Sequence, residues 1–383
     1  MSSQRESVSR RRFLGDAGTV VGGVVGAVAG GTLVGQARSG EPNAQDRPKP
    51  PSGKKIRLGV VGGGFGCSFY WHLHPNCTVE AVSDLQPERR AQLMQVYQCS
   101  KSYESLEKLI LDDKVDAVAV FTDAPSHGRH CVAVMEHGKH VVSAVPAAMT
   151  LDDCGQLEET KRRTGLKYMM AETSYYHADV IAGRHLYRAR LRGDLIYTEG
   201  HYYHHGVTRI GSWQQWRRAL PPMLYPTHST AYYVGVTGRR LTHVSCVGYR
   251  GKGEEWQQNR YDDNPFVSET ALFRTSEETM CRINVFWWCG HPGQESGIWI
   301  WEKTAAPGEN RPTQAALPPG IPPGGHGGSH GPLTHEFVTA LAEDREPAID
   351  VYEALAMTAP GIVAHQSALQ GGRQLVIPSF DRA

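Results

Sequence analysis

A glycine-rich turn between two short apolar runs constrains this chain more than any other feature. The first run, Ile56 to Val61, leads into Gly62-Gly63-Gly64-Phe65-Gly66, and the second, Thr78 to Val82, ends just before Asp84. Strand, glycine turn, helical pattern, strand and terminal carboxylate follow in the order of a dinucleotide-binding unit. A glycine-rich turn in an unrelated α/β protein is the alternative.

The residues of this turn have expected roles. Gly62 permits the tight turn, and Gly64 lets the backbone approach a pyrophosphate held at a helix N-terminus. Phe65 and Gly66 complete the cofactor-binding segment. Asp84 can accept both ribose hydroxyls, and its charge would repel a 2′-phosphate. We therefore expect NAD as the cofactor rather than NADP.

Composition limits the class of protein. The chain has 383 residues, enough for two domains, with 40% hydrophobic and 21% charged residues, as in soluble globular enzymes. A formal net charge of +1 argues against a nucleic-acid-binding protein, which is usually markedly basic.

The N-terminus has the pattern of an export signal. Arg10-Arg11-Arg12-Phe13-Leu14 precedes a weakly apolar, glycine-rich run from Ala17 to Val34. The arginine pair resembles a twin-arginine signal, so residues 1–37 are expected to direct export to the periplasm or beyond. If uncleaved, the segment would tether the protein to the membrane; otherwise no membrane span is expected. Residues 38–54 form a proline-rich linker.

Residues 55–174 are predicted to form a doubly wound parallel sheet, because apolar runs alternate with helical patterns. Ligands bind such sheets at the carboxyl ends of the strands. Thr122, His127, Val145 and Pro146 lie in turns at that edge, where a nicotinamide would be met. The predicted elements beyond the fingerprint include helices at Pro87 to Tyr97, Ser105 to Leu111, Gly128 to His137 and Leu151 to Thr164, and strands at Val115 to Phe121 and Leu166 to Ala171.

Residues 175–383 are predicted to form a second, α+β domain. After a helix from Asp179 to Arg192, strand-like runs follow one another without intervening helices, which favours a large, open, mainly antiparallel sheet. A loop rich in proline and glycine, Ala305 to Pro332, precedes two closing helices, Leu333 to Glu343 and Val351 to Leu369. These helices can pack back on the first domain.

From Ile56 to Phe380 the chain resembles the Gfo/Idh/MocA superfamily of NAD(P)-dependent sugar oxidoreductases. The resemblance implies a Rossmann domain, an open sheet that receives a sugar, and a homo-oligomer. Most members carry Glu-Lys-Pro where this chain has Ala144-Val145-Pro146, so the lysine that assists hydride transfer is missing. The resemblance rests on Gly62-x-Gly64, Asp84, the turn from Thr122 to His127, Gly138-Lys139-His140-Val141 and the turn at Pro146.

A narrower resemblance is to the NAD-dependent α-N-acetylgalactosaminidases of this superfamily, which also have valine before that proline. It implies redox-neutral glycoside cleavage and a catalytic tyrosine at Tyr176. The matching segments are Ala147-Ala148-Met149-Thr150, Met169-Met170-Ala171-Glu172, Tyr225-Pro226-Thr227-His228 and Gly325-His326-Gly327-Gly328.

Chemical reasoning assigns base work to two residues. A hydride can leave C3 of a sugar only as the hydroxyl proton departs, so a base must lie within hydrogen-bond reach. We expect His228 to be that base and Tyr176 to remove the proton at C2, although the two roles can be exchanged. The alternative is that Tyr175 points into the site and that Tyr176 is the packed tyrosine.

Other residues have weaker assignments. Tyr225, His326 and His204 are expected to bind substrate. Glu172 either bonds the nicotinamide ribose or caps a turn. His201-x-x-His204-His205 suggests a metal site, but polar sheet residues facing substrate fit the pattern better, and no metal is expected.

The sequence therefore predicts an exported, NAD-dependent enzyme that acts on a sugar or glycoside by hydride abstraction at C3. Redox-neutral cleavage, with NAD recycled, is the first interpretation. Net sugar dehydrogenation or sugar–sugar oxidoreduction is an alternative, and a non-catalytic nucleotide-containing binding protein is another.

Overall fold

The computed structural model describes residues 53–204, 220–252, 263–287, 289–290, 294–306, 309 and 311–382. Its first sheet has six parallel strands in the order β3-β2-β1-β4-β5-β6, which confirms the predicted doubly wound sheet. The strands are β1 Ile56–Val61, β2 Cys77–Ser83, β3 Ser102–Tyr103, β4 Ala117–Val120, β5 His140–Ser143 and β6 Tyr168–Met170; the helices are α1 Pro87–Tyr97, α2 Leu106–Leu109, α3 His127–Glu136 and α4 Leu151–Thr164.

Strand register brings the predicted turns to one edge of this sheet. Val61, at the end of β1, pairs with Ser83 on one side and Val120 on the other, and Val120 pairs with Ser143. The residues that follow these positions therefore meet at the carboxyl edge. All four residues of β4 are buried, as expected for a parallel strand covered on both faces.

The helix expected after the glycine turn is absent, which corrects the sequence prediction. Two single 3₁₀ turns, Phe65–Ser68 and Trp71–Leu73, connect β1 to β2 instead. The connection spans only residues 62–76, little more than the shortest crossover between parallel strands. Aromatic packing occupies the space instead: the Phe69 ring stacks on Phe121 with centroids 4.6 Å apart and on Trp71 at 5.3 Å.

The second sheet has the order β11-β7-β10-β9-β8-β12. All of its strand pairs are antiparallel except β7 with β10, which confirms the predicted mainly antiparallel sheet. Its strands are β7 Leu195–Tyr203, β8 Leu241–Arg250, β9 Phe266–Thr275, β10 Met280–Phe286, β11 Gln294–Trp301 and β12 Leu375–Val376; the helices are α5 Ala178–Arg188, α6 Thr227–Thr230, α7 Val234–Thr237, α8 His330–Ala342 and α9 Val351–Leu369.

Close contacts hold α6 between this sheet and the last helix. A Cβ on Gly200 of β7 would lie 2.1 Å from the Ser229 carbonyl oxygen, so only glycine allows α6 to lie so close. On the other side, the Thr230 hydroxyl donates to the Met357 carbonyl at 2.8 Å. Helix α9 also reaches the first sheet, because the Ala147 amide donates to the Thr358 hydroxyl at 3.3 Å.

The described residues include no helix that is long and apolar enough to span a membrane. The predicted export signal, residues 1–37, and all but the last two residues of the linker, 38–54, lie outside the described residues.

Candidate active site

The fingerprint turn is built around two glycines and one carboxylate. Gly62 has φ of 102°, and a Cβ there would lie 2.2 Å from the Phe121 carbonyl oxygen, so no other residue fits. Asp84 Oδ2 accepts the Gly63 amide at 2.6 Å, and Oδ1 accepts the Gln86 amide at 2.8 Å. Each oxygen keeps a second lone pair for a ribose hydroxyl.

Two cavities meet beside this turn. One of about 320 Å³ is lined by Asp84, and the other, of about 420 Å³, is lined by Val145 and His228. The two cavities join Asp84, where the sequence predicts the adenosine half of a dinucleotide, to Val145, where it predicts the nicotinamide half, so their lining fits this cofactor. Four residues line both cavities: Gly64, Phe65, Phe121 and Thr122.

His127 braces the turns that frame the second cavity. Its Nδ1 lies 2.8 Å from the Pro146 carbonyl oxygen and its Nε2 lies 3.1 Å from that of Thr122. Carbonyl oxygens only accept hydrogen bonds, so the ring satisfies both when it carries two N–H groups. His127 therefore ties the turn after β4 to the turn after β5, whose Val145–Pro146 peptide bond is cis.

A buried carboxylate holds the histidine of the second cavity. His228 Nδ1 lies 2.8 Å from Glu172 Oε1, which also accepts the Ser174 amide at 2.8 Å. Glu172 is fully buried at the end of β6, so it lies behind the histidine rather than beside a ribose. Because Nδ1 is held by Glu172, His228 can exchange a proton with a ligand in the cavity only at Nε2.

The charge state of Glu172 follows from its neighbours. Burial raises the pKa of this carboxyl, but the opposing charge and hydrogen bond of His228, together with the hydrogen bond from the Ser174 amide, lower it below its ordinary value of 4.5. Glu172 is therefore ionised at neutral pH and stabilises the protonated imidazole that forms when His228 accepts a proton.

Glu172→Gln is expected to flatten the acid limb of the stability profile. Because the pKa of Glu172 is lowered in the folded protein, its stabilising effect is complete above 4.5 and is lost as pH falls through the lower folded value. Urea unfolding from pH 7 to pH 3 should show the variant about 1–3 kcal/mol less stable at pH 7, with that difference shrinking on acidification.

Glu353→Gln is the matched control for this measurement, since burial raises the pKa of Glu353. That variant should change the pH slope in the opposite direction. Parallel profiles for the wild type and Glu172→Gln would show that Glu172 does not bear a stabilised charge.

Tyr176 is not among the residues that line the cavity of His228. It packs against Tyr175 in the 3₁₀ turn Ser174–Tyr176, with ring centroids 5.2 Å apart. Burial, reinforced by the charge of Glu336, raises the pKa of Tyr176 well above its ordinary value of 10. Of the three residues expected to converge, Val145 and His228 line one cavity, and Tyr176 lies in the 3₁₀ turn that follows Glu172.

The tyrosines of the cavity are Tyr202 and Tyr225. Their rings lie 4.7 and 5.5 Å from the His228 ring, centroid to centroid. Tyr202 is not among the residues predicted from the sequence. The alternation of β7 places it on the same face as Gly200, and it lies two residues before His204, which also lines the cavity.

His326 reaches the cavity from the glycine-rich loop before α8. Its Nδ1 lies 2.9 Å from His330 Nε2, and its ring meets Phe65 edge-on at 5.5 Å. Burial is the largest cause lowering the pKa of His326, and burial also lowers that of His330, to about 4. His326 is therefore neutral near pH 7 and can accept a proton.

A second carboxylate near His228 was also missed. Glu295 on β11 accepts the Ser174 hydroxyl at 2.8 Å, and its Oε2 lies 3.8 Å from His177 Nε2 and 4.0 Å from His228 Nδ1. No local pattern marks Glu295, because Ser174, His177 and His228 all lie far from it in the chain.

The histidine pattern of β7 forms a polar network. His201 lies 3.0 Å from Glu199 and 2.9 Å from the Asn284 amide nitrogen, and His205 is outside the described residues. Within the part of the chain that the structure describes, no three His, Cys, Asp or Glu side chains group to hold a metal ion.

Comparisons with known proteins agree with this architecture. Residues 56–172 match the oxidoreductase family with an NAD-binding Rossmann fold (Gfo/Idh/MocA), and residues 321–383 match the C-terminal domain of glycosyl hydrolase 109. A glycosyl hydrolase family 109 protein of Solibacter usitatus is 27% identical over 85% of this chain and 88% of its own length. One from Streptomyces coelicolor is 24% identical over 99% and 95%.

Among solved structures, scyllo-inositol dehydrogenase from Lactobacillus casei, with bound NAD(H) and scyllo-inositol, has a TM-score of 0.67 at 15% identity. The similarity covers 84% of this chain and 99% of the dehydrogenase. By these matches the chain is an NAD-binding enzyme with a Rossmann domain of the oxidoreductase type at residues 56–172 and a C-terminal segment, residues 321–383, similar to that of glycosyl hydrolase 109.

Proposed function

We propose that this enzyme cleaves a glycoside without net oxidation, beginning with hydride abstraction at C3 of the sugar. The observation that carries the proposal is the buried Glu172–His228 pair, which lies at the wall of the cavity that Val145 also lines. It supplies a charge-stabilised base where the turn at Pro146 has no lysine. Relatives named glycosyl hydrolase family 109, and a similar fold with NAD(H) and a cyclic polyol bound, support a carbohydrate substrate.

NAD bound beside Val145 would supply reversible hydride transfer, as the acceptor of the C3 hydride and then its donor. His228 takes the C3 hydroxyl proton at Nε2, while Glu172 stabilises the resulting imidazolium. The C3 ketone acidifies the neighbouring C2–H. Removal of that proton allows the C1 leaving group to depart, and water then adds at C1 while a proton returns to C2.

His326 is the side chain we assign to the C2 proton, in place of Tyr176. It lines the same cavity, it is neutral near pH 7, and its Nδ1–H can be donated to His330 while Nε2 accepts the proton. Tyr202, Tyr225 and His204 complete the cavity wall and are assigned to substrate binding.

Incubation with a panel of aryl glycosides in heavy water tests the reaction. The proposal expects released aglycone, deuterium at C2 of the sugar product, and no accumulation of NADH. Stoichiometric NADH with a ketone product would instead establish a net sugar dehydrogenase. Release of the aglycone without deuterium at C2 would overturn the elimination step.

We also propose that the protein is exported through its N-terminal signal and forms a homo-oligomer through the open face of the second sheet. That face carries six large apolar side chains with exposed fractions of 49% to 63%, a patch typical of an interface. Cell fractionation tests export, and recovery in the cytoplasm would contradict it. Sedimentation tests the oligomer, and a monomer would contradict it. The side chains are Val247, Tyr249, Leu272, Met280, Ile298 and Ile300.

A further inference from the structure

The missing helix leaves an electrostatic problem at the cofactor site. In a dinucleotide-binding fold, the pyrophosphate rests on the N-terminus of the helix that follows the glycine turn, where aligned peptide dipoles present partial positive charge. Here only the four-residue turn Phe65–Ser68 follows Gly64. So few aligned peptides build little of that dipole, yet the pyrophosphate carries negative charge that needs compensation.

The place where that compensation is needed can be located. Gly64 and Thr122 line both cavities, so the phosphates that join the two halves of NAD pass between these residues. A Cβ on Gly64 would have only one close neighbour within 4 Å, so the backbone is open to a ligand there. That neighbour is the Arg89 guanidinium, whose Nη1 would lie 3.5 Å from the Cβ.

The packing of Arg89 fixes it against the turn. It lies in α1, and its backbone abuts Gly63 so closely that a Cβ there would lie 2.6 Å from the Arg89 carbonyl oxygen. Arg89 also lines the cavity that contains Asp84. Its charge also reaches across the turn: burial and Asp84 raise the pKa of the Cys67 thiol, and Arg89 opposes them.

We propose that Arg89 binds the pyrophosphate of NAD and supplies the positive charge that a helix N-terminus supplies in other dinucleotide-binding folds. A guanidinium suits this task because it donates several hydrogen bonds in a planar fork to phosphate oxygens. The inference rests on NAD binding and not on the chemistry at C3, so it stands or falls separately from the proposed reaction.

Calorimetric titration of the nucleotide-free protein with adenosine and with ADP-ribose tests this assignment. The two ligands share the adenosine half, and only ADP-ribose carries the pyrophosphate. Arg89→Gln should weaken ADP-ribose binding by at least about tenfold and leave adenosine binding within about twofold. Arg89→Lys, which keeps the charge, should recover most of the loss.

The ratio of the two affinities is an internal reference within each variant, so a partly destabilised protein still gives a result. Arg162→Gln removes an exposed arginine of α4 that pairs with Glu159, and should leave the ratio unchanged. If Arg89→Gln weakens the binding of both ligands equally, Arg89 only supports the packing of the cavity, and the proposal is wrong. Arg129→Gln tests a second arginine that lines the same cavity. If Arg89→Gln does not weaken ADP-ribose binding relative to adenosine binding, with or without an effect of Arg129→Gln, the proposal is wrong.

Discussion

Replacing His228 with asparagine is expected to slow hydride transfer from C3 by roughly 10²- to 10⁴-fold, the usual contribution of a positioned general base. An asparagine amide can still donate to Glu172 Oε1, so the buried carboxylate keeps a partner while the base is lost. Single-turnover formation of NADH absorbance, measured with saturating glycoside, reports this step directly. NAD affinity should change little.

Tyr176→Phe is the informative companion to this variant. The resemblance to glycosidases assigns Tyr176 to catalysis, whereas in the structure it is half-buried, packs against Tyr175 and does not line the cavity of His228. We therefore expect its rate to stay within about threefold of the wild type, because no catalytic proton transfer is lost. A loss as large as that of His228→Asn would show that Tyr176 enters the cavity during turnover.

Gly62→Ala is expected to cost about 2–5 kcal/mol of unfolding free energy, the sum of a left-handed backbone penalty and a steric overlap. The new Cβ would lie 2.2 Å from the Phe121 carbonyl oxygen, so β4 and the turn after it must shift. Phe121 and Thr122 line both cavities, and NAD binding should be lost with them.

Gly138→Ala separates the two terms of this penalty. Gly138 also has positive φ, 74°, but a Cβ there would meet nothing within 4 Å. Its cost should be limited to about 1–2 kcal/mol, with NAD affinity preserved. Urea denaturation and calorimetric NAD titration of the two variants would contradict the steric argument if Gly62→Ala were no worse than Gly138→Ala.

Local patterns were enough to predict most of the elements. Helices α1 and α4 begin and end at the predicted residues, with Pro87 at the first position of α1 and the Thr150 hydroxyl accepting the Asp153 amide at the start of α4. The prediction of a helix after the glycine turn was wrong, because stacked aromatic rings occupy that space. That outcome depends on Phe121, which no local pattern links to Phe69.

The candidate site was only partly predictable for the same reason. The turn residues Thr122, Val145 and Pro146 follow from strand order, since parallel strands end at one edge. Glu172 is expected from the sequence either to bond a ribose or to cap a turn; it accepts the Ser174 amide in such a turn, but its contact with His228, 56 residues away, follows only from the tertiary structure. No local pattern predicts Glu295, because its contacts near His228 form only in the tertiary structure.

The sequence alone thus determined the two sheets and the expectation of an NAD-binding Rossmann domain, because periodicity, glycine turns and a strand-end carboxylate are local signals. The tertiary structure decided which histidine the buried Glu172 holds, which tyrosines line the cavity of that histidine and which arginine faces the glycine turn. Those outcomes depend on packing between segments distant in the chain, where burial and neighbouring charge set the chemistry of each side chain.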